Sequence, residues 1–87
     1  MNIEFRKSFE KDFEKLPASS KKQVGNIIQD ILSKKKLAEL SSCKKLTGYK
    51  SAYRVRVGSY RIGFFYENET VELVRVLNRK DIYKYFP

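Results

Sequence analysis

Tyr53-Arg-Val-Arg-Val-Gly-Ser-Tyr-Arg61 decides the fold. Apolar and basic side chains alternate on both sides of a Gly-Ser pair, the pattern of two half-buried strands joined by a tight turn. Reading outward, Ala52 to Val57, Tyr60 to Glu67 and Thr70 to Asn78 predict a three-stranded antiparallel meander, with Gly58-Ser59 and Asn68-Glu69 as the turns. The alternation assigns Tyr53, Val55, Val57, Tyr60, Ile62, Phe64, Val74 and Val76 to one face, which helices should cover. Arg54, Arg56, Arg61, Arg75 and Arg79 fall on the other face, with Gly63, Phe65 and Leu73. Gly63 leaves a gap in the middle strand, suited either to a close neighbour or to a bulge. Guanidinium groups gathered on one face with hardly a carboxylate among them point to a polyanion.

Toward the N-terminus, Asn2 to Arg6 reads as a short strand and Ser8 to Leu16 as a helix whose stripe is Phe9, Phe13 and Leu16. Pro17 breaks that helix. A second begins at Ser19 or Ser20, with Ser20 and Gln23 spaced as a capping box. Val24, Ile27, Ile28, Ile31 and Leu32 give it a broad apolar face. Gly25 inside it suggests close approach to the first helix, so the two form a helical hairpin. Ser33 to Lys50 is the least regular stretch, with Leu37 and Leu40 anchoring one turn and Thr47-Gly48 making another. Past the meander, Asp81 to Phe86 reads as a helical turn or an extended tail carrying Tyr83, Tyr85 and Phe86. The predicted class is α+β: an N-terminal strand and a helical hairpin packed on a small antiparallel sheet, residues 1–87 forming one domain. Neither a βαβ alternation nor a Gly-rich phosphate loop is present, which excludes a nucleotide-binding α/β domain.

Nineteen Lys and Arg against ten Asp and Glu give a formal charge of +9, favouring nucleic acid, an anionic membrane surface or an acidic protein as partner. The excess is greater in the second half, where residues 44–87 carry ten basic and four acidic side chains. One cysteine, Cys43, permits no internal disulfide and fits a reducing compartment. The lysines around it favour a lowered thiol pKa. The apolar runs are too short for a membrane helix and the first residues lack a signal-peptide pattern, so a cytoplasmic location and no membrane partner are expected.

Tyr53-Arg-Val-Arg-Val-Gly-Ser-Tyr-Arg-Ile62, the hairpin after it, and Val76-Leu-Asn-Arg-Lys-Asp-Ile-Tyr83 resemble the RelE/ParE superfamily of prokaryotic toxins, and the helical hairpin extends the likeness over nearly the whole chain. The resemblance implies a compact toxin wrapped by the helices of a cognate antitoxin. RelE-like members cut messenger RNA in the ribosomal A site, whereas ParE-like members poison DNA gyrase. Carried over, the two basic positions near the scissile phosphate fall on Arg54 and Arg56, the next-strand arginine on Arg61, the late catalytic arginine on Arg79 and the C-terminal tyrosine on Tyr83. Arginines here replace two lysines of the family pattern, the interval from Arg79 to Tyr83 is short, and Asn78 stands where some relatives carry histidine.

The favoured function is accordingly a ribosome-dependent endoribonuclease that cuts by 2′-OH attack to leave a 2′,3′-cyclic phosphate. Arg61 and Arg79 would clamp the phosphate, Arg56 would orient the 2′-OH, and Tyr83 would contact a base or ribose. Arg54, Lys44, Lys45, Lys50, Arg75 and Lys80 would hold the RNA backbone. Arg75 alternatively pairs with Glu67 or Glu72, and Tyr49, Tyr53 and Tyr60 suit core or rim packing. With no histidine and no carboxylate pair on the arginine face, neither metal nor cofactor is expected. The alternatives are a gyrase inhibitor on the same scaffold and a non-catalytic protein that binds nucleic acid or an antitoxin. The antitoxin, the ribosome with its mRNA and a second copy of the chain are the candidate partners.

Overall fold

The computed structural model describes all 87 residues. The alternating stretch forms the predicted meander: β3 (Ala52–Val57), β4 (Tyr60–Glu67) and β5 (Thr70–Asn78). Two further strands, β1 (Asn2–Phe5) and β2 (Cys43–Lys45), complete a five-stranded sheet of order β1-β5-β4-β3-β2. β1 runs parallel to β5, while β2 lies antiparallel to β3. β2 falls inside the segment expected to be irregular. Its Cys-Lys-Lys sequence has little strand propensity, and its pairing with Tyr53, Arg54 and Val55 makes it a strand. A single 3-10 turn, Leu37–Glu39, precedes it, with Leu40 buried beside it.

The main core lies between the sheet and two helices, α1 (Lys7–Glu14) and α2 (Ala18–Ser33). Phe9, Val24 and Ile31 from the helices meet Val55, Ile62, Phe64, Leu73 and Val76 from the sheet. A smaller cluster occupies the other face, where Ile82 and Phe86 cover Ala52 and Val74. Ile82 belongs to a last short helix, α3 (Ile82–Tyr85).

The face assignment of β5 changes partway along the strand. Gly63 pairs with Arg75 but Phe64 pairs with Leu73, so Val74 has no partner on β4. This one-residue bulge reverses the alternation. Leu73 therefore sits in the helix-side core and Val74 on the opposite face, contrary to simple period-two reading, while Val76 returns to the helix side. Gly63 marks the bulge and also admits a neighbour: a Cβ there would lie 2.5 Å from the Phe86 ring.

Two helix expectations are corrected. α2 starts at Ala18 with extended Pro17 as its N-cap and no side-chain cap, so Ser20 is a buried helical residue, not half of a capping box. The fixed φ of proline supplies the entry geometry instead. Gly25 has nothing within 4 Å of a Cβ position, so it marks no close approach between helices.

α1 performs a second task at the sheet edge. β1 stops at Phe5, opposite Leu73, leaving the upper half of β5 without a strand on that side. Arg6 N donates to Leu73 O (3.0 Å), Ser8 Oγ donates to Val74 O (2.6 Å), and Val76 N donates to Asp12 Oδ2 (3.1 Å). Arg6 and the side chains of α1 thus satisfy backbone groups that an open edge would leave unpaired. At the other end of the layer, the Met1 ammonium donates to Ile31 O (3.1 Å) and Lys34 O, closing the C-terminus of α2.

Candidate nucleic-acid interface

The β3–β4 hairpin sets the arginines by register. Arg56 lies directly across from Arg61, and Arg54 across from Gly63. Like charges directly opposite each other in an antiparallel pair are destabilising. The turn between them is tight, with Gly58 at φ +59°, where an L side chain is strained. Arg61 is anchored to that turn: Nη1 donates to Gly58 O (3.0 Å) and Tyr60 O (2.9 Å).

β5 delivers Arg79 to the same corner. Asn78 pairs with Tyr60, and Arg79 N donates to Ser59 O at 3.1 Å. Asn78 then fixes the loop that follows. Its Oδ1 accepts from Lys80 N (2.9 Å) and Asp81 N (3.1 Å), and its Nδ2 donates to Asp81 Oδ2 (3.0 Å). These bonds form an Asx turn that leads into α3 and places exposed Tyr83 beside the arginines. At this position the short amide holds backbone, a role the sequence did not reveal.

The electrostatics show how close the groups are. Burial and the charges of Arg54, Arg56 and Arg79 all push the Arg61 guanidinium below its usual range, and Tyr83 pulls in the other direction. Arg61 nevertheless stays cationic at any ordinary pH. No carboxylate lies within ion-pair distance of Arg54, Arg56, Arg61 or Arg79, and Arg54, Arg56 and Arg79 make no side-chain hydrogen bond. Four guanidinium groups are held together without an internal counter-ion.

Lys44 joins this group: it pairs with Arg54 in the sheet register and lines a shallow cleft with Ser42, Cys43, Arg54 and Arg56. Lys80 lies next to Arg79 and is exposed. Three other basic residues are elsewhere. The pairing of Lys45 with Tyr53 turns it to the opposite face, and Lys50 lies in the loop before the far end of β3. Arg75 is engaged by α1, donating from Nε to Asp12 Oδ2 (2.7 Å) and from Nη2 to Asp12 Oδ1 (3.1 Å). This fork, with Tyr85 stacked at 5.3 Å, replaces the expected partners Glu67 and Glu72, of which Glu72 binds Arg6. The hydrogen bonds to Asp12 raise the Arg75 pKa further. Asp12 follows Phe9 by three residues and so shares its side of α1, but with Glu10 and Glu14 on the same helix the sequence did not single it out.

Cys43 reverses its expectation. It packs against the helix-side core, and burial pushes its thiol pKa up, outweighing the lowering effect of Arg54. Tyr53 and Tyr60 pack against the core as expected, but Tyr49 is exposed. No three His, Cys, Asp or Glu side chains converge as a metal-ligand set.

A small α+β domain with an uncompensated arginine corner is the frame of a known toxin class. The sequence matches the family described as ParE toxin of type II toxin–antitoxin system, parDE, over residues 3–83. The chain belongs to the RelE/ParE toxin superfamily, on its RelE-like branch. It is 41% identical to toxin RelE3 of Methanocaldococcus jannaschii, with both chains covered completely. It is also similar to a chain of the RelB-RelE antitoxin-toxin complex from Methanococcus jannaschii, with TM-score 0.82, 40% identity, and 95% and 98% of the two chains covered. A chain of the Mycobacterium tuberculosis toxin-antitoxin complex RelBE2 gives TM-score 0.73 at 26% identity, covering 90% of this chain and 96% of that one. The family description names ParE, but full-length likeness to RelE proteins decides the branch.

Proposed function

We propose that the protein is a ribosome-dependent endoribonuclease that cleaves messenger RNA in the ribosomal A site and is neutralised by a cognate antitoxin. The observation that carries this reading is the corner of Arg54, Arg56, Arg61 and Arg79 with no carboxylate against them. A charge cluster costs stability unless an anion completes it, and a phosphodiester matches the guanidinium fork. The likeness to toxin RelE3 and to a chain of a RelB-RelE antitoxin-toxin complex supports the toxin reading and the antitoxin partner. A toxin acting on ribosomes would work in the cytoplasm, and no helix is long and apolar enough to cross a membrane.

In the proposed reaction the 2′-oxygen of the nucleotide before the cut attacks phosphorus in line, and the bond to the 5′-oxygen breaks. The 2′-OH loses its proton and the departing 5′-oxygen gains one, leaving a 2′,3′-cyclic phosphate and a 5′-OH. Arg61, already fixed to the turn, and Arg79 stabilise the charge that builds on the phosphorane. Arg79 stands nearest the leaving group, Arg56 orients the 2′-OH, and Tyr83 contacts a base or ribose. Arg54, Lys44 and Lys80 hold flanking phosphates. Arginine is a poor base, so the acceleration would come chiefly from in-line positioning of the strand, with no resident metal or cofactor.

The test is primer extension on messenger RNA with programmed ribosomes, free RNA and an Arg79→Ala protein. Discrete A-site cuts that need the ribosome and vanish with Arg79→Ala are expected. Growth arrest without any cut would sink the nuclease reading. The match to the ParE family favours one second reading, a gyrase inhibitor, for which inhibition of supercoiling would be the decisive result.

A further inference from the structure

α1 divides its charges by side. Lys7, Lys11 and Lys15 recur every four residues and form one stripe, while Glu10 and Glu14 fall on another. Lys11 and Lys15 line an open cleft with Ser8, Asp12 and Arg75, and no apolar side chain enters it. Asp12 does not neutralise these lysines. Both its oxygens are taken, by the Arg75 fork and by Val76 N, and neither lysine pairs with any other carboxylate. Tyr85 of α3 lies over the Arg75 guanidinium at 5.3 Å and remains 60% exposed. An exposed ring held on a cation, beside two unpaired ammonium groups, is the form of a nucleotide subsite: the ring takes a base and the lysines take phosphate. The four-residue interval sets the two lysines about 6 Å apart along the helix axis, so that they can hold neighbouring phosphates.

We propose that this cleft between α1 and α3 binds one nucleotide of the RNA on the 3′ side of the cut, with its base stacked on Tyr85 and its flanking phosphates on Lys11 and Lys15. The proposal rests on the nuclease reading for its direction, in which Arg79 stands nearest the leaving 5′-oxygen and α3 follows Arg79 in the chain. Tyr83 and Tyr85, two residues apart, leave α3 on different sides, one beside the arginine corner and one over Arg75. A strand that passes Arg79 and Tyr83 therefore reaches Tyr85 next. Arg75, its fork occupied by Asp12, supports the ring instead of gripping phosphate. An acidic peptide would satisfy the lysines but leave the ring uncovered.

The probes are two uncleavable 2′-O-methyl RNA strands of about four and about eight nucleotides, titrated into isotope-labelled protein and followed by amide shifts across a salt series. The short strand should move the arginine corner alone, whereas the long one should also move Lys11, Lys15 and Tyr85. The long strand's affinity should fall more steeply with salt, by about 0.7 in log–log slope for each lysine engaged, and Lys11→Ala with Lys15→Ala should remove that increment. Tyr85→Ala should weaken the long strand about tenfold and leave the short one unchanged, while Tyr85→Phe should preserve both affinities. Shifts confined to the corner, an unchanged slope in the double lysine variant, or an equal loss for both strands with Tyr85→Ala would overturn the proposal. So would a Glu-rich helical peptide that moves Lys11, Lys15 and Tyr85 as strongly as the long strand does, which would mark a protein contact. Ribosomal cleavage is read separately: cleft binding without any A-site cut removes the nuclease reading, and cutting that proceeds while the cleft stays silent removes only this one.

Discussion

Gly63 shows how much one residue's size decides. Its missing Cβ is the space that the Phe86 ring occupies, and Phe86 with Ile82 is what holds α3 to the sheet. Gly63→Ala should eject Phe86, lower stability by about 1–3 kcal/mol, and loosen the segment carrying Tyr83. Thermal denaturation together with amide exchange at Lys84 and Phe86 would register both effects. Cys43 tests local electrostatics with the opposite sign from its surroundings. Because burial raises its pKa, its thiolate fraction near pH 8 is below that of a free cysteine, and alkylation should be slower until the pH rises further. Removing the favourable charge with Arg54→Ala should slow it again, as iodoacetamide kinetics against a free-thiol standard would show. The sequence placed lysines near Cys43 but could not place Val55 opposite it in the sheet, which is why the direction was misread.

At the scale of elements, α1 behaves as both a core helix and the closing edge of β5. Asp12→Ala removes the fork from Arg75 and the acceptor for Val76 N, leaving a partly buried guanidinium and a buried amide unpaired. A loss of about 2–4 kcal/mol is expected in denaturant titration. α2 predicts the contrary outcome. Gly25 is helical with free space around it, so Gly25→Ala should stabilise by about 0.5–1 kcal/mol, visible as a melting temperature higher by about 2–8 °C. The meander was legible residue for residue because alternation and two turn pairs fix it locally. β2 was not, since three residues of low propensity become a strand only through Tyr53, Arg54 and Val55. The bulge at Val74 was hidden for a related reason: a register shift belongs to two strands, and Gly63 only hinted at its location.

For the molecule as a whole, the organising contrast is between compensated and uncompensated charge. Arg6, Arg75 and Lys84 have carboxylate partners, whereas the arginines of the hairpin corner have none. If four guanidinium groups engage four phosphates of a single strand, log K should fall with log salt at a slope of about −3. Arg54→Ala, Arg56→Ala or Arg79→Ala should each reduce that slope by about 0.7. Lys45→Ala, turned to the opposite face, should leave it unchanged. Fluorescence anisotropy with a labelled single-stranded RNA across a salt series measures this directly. The convergence of Arg54, Arg56 and Arg61 was readable because one hairpin carries them all. Arg79 was also assigned to that face by alternation and by the family resemblance; what stayed hidden is how it is held, through the Asn78 turn and Ser59 O.

The sealed edge of β5 also has a consequence in time. Ser8 and Asp12 find their backbone partners 66 and 64 residues further along the chain. During synthesis, Phe9, Val24 and Ile31 leave the ribosome long before the strands they cover, and the N-terminal half has no sheet on which to settle. The meander is the part that can form from local pairing once it emerges. The helices and β1 can dock only when β5 exists, and Arg79 reaches the hairpin turn later still. A protein proposed to cut messages inside ribosomes thus assembles its site last, only after the hairpin and β5 have come together.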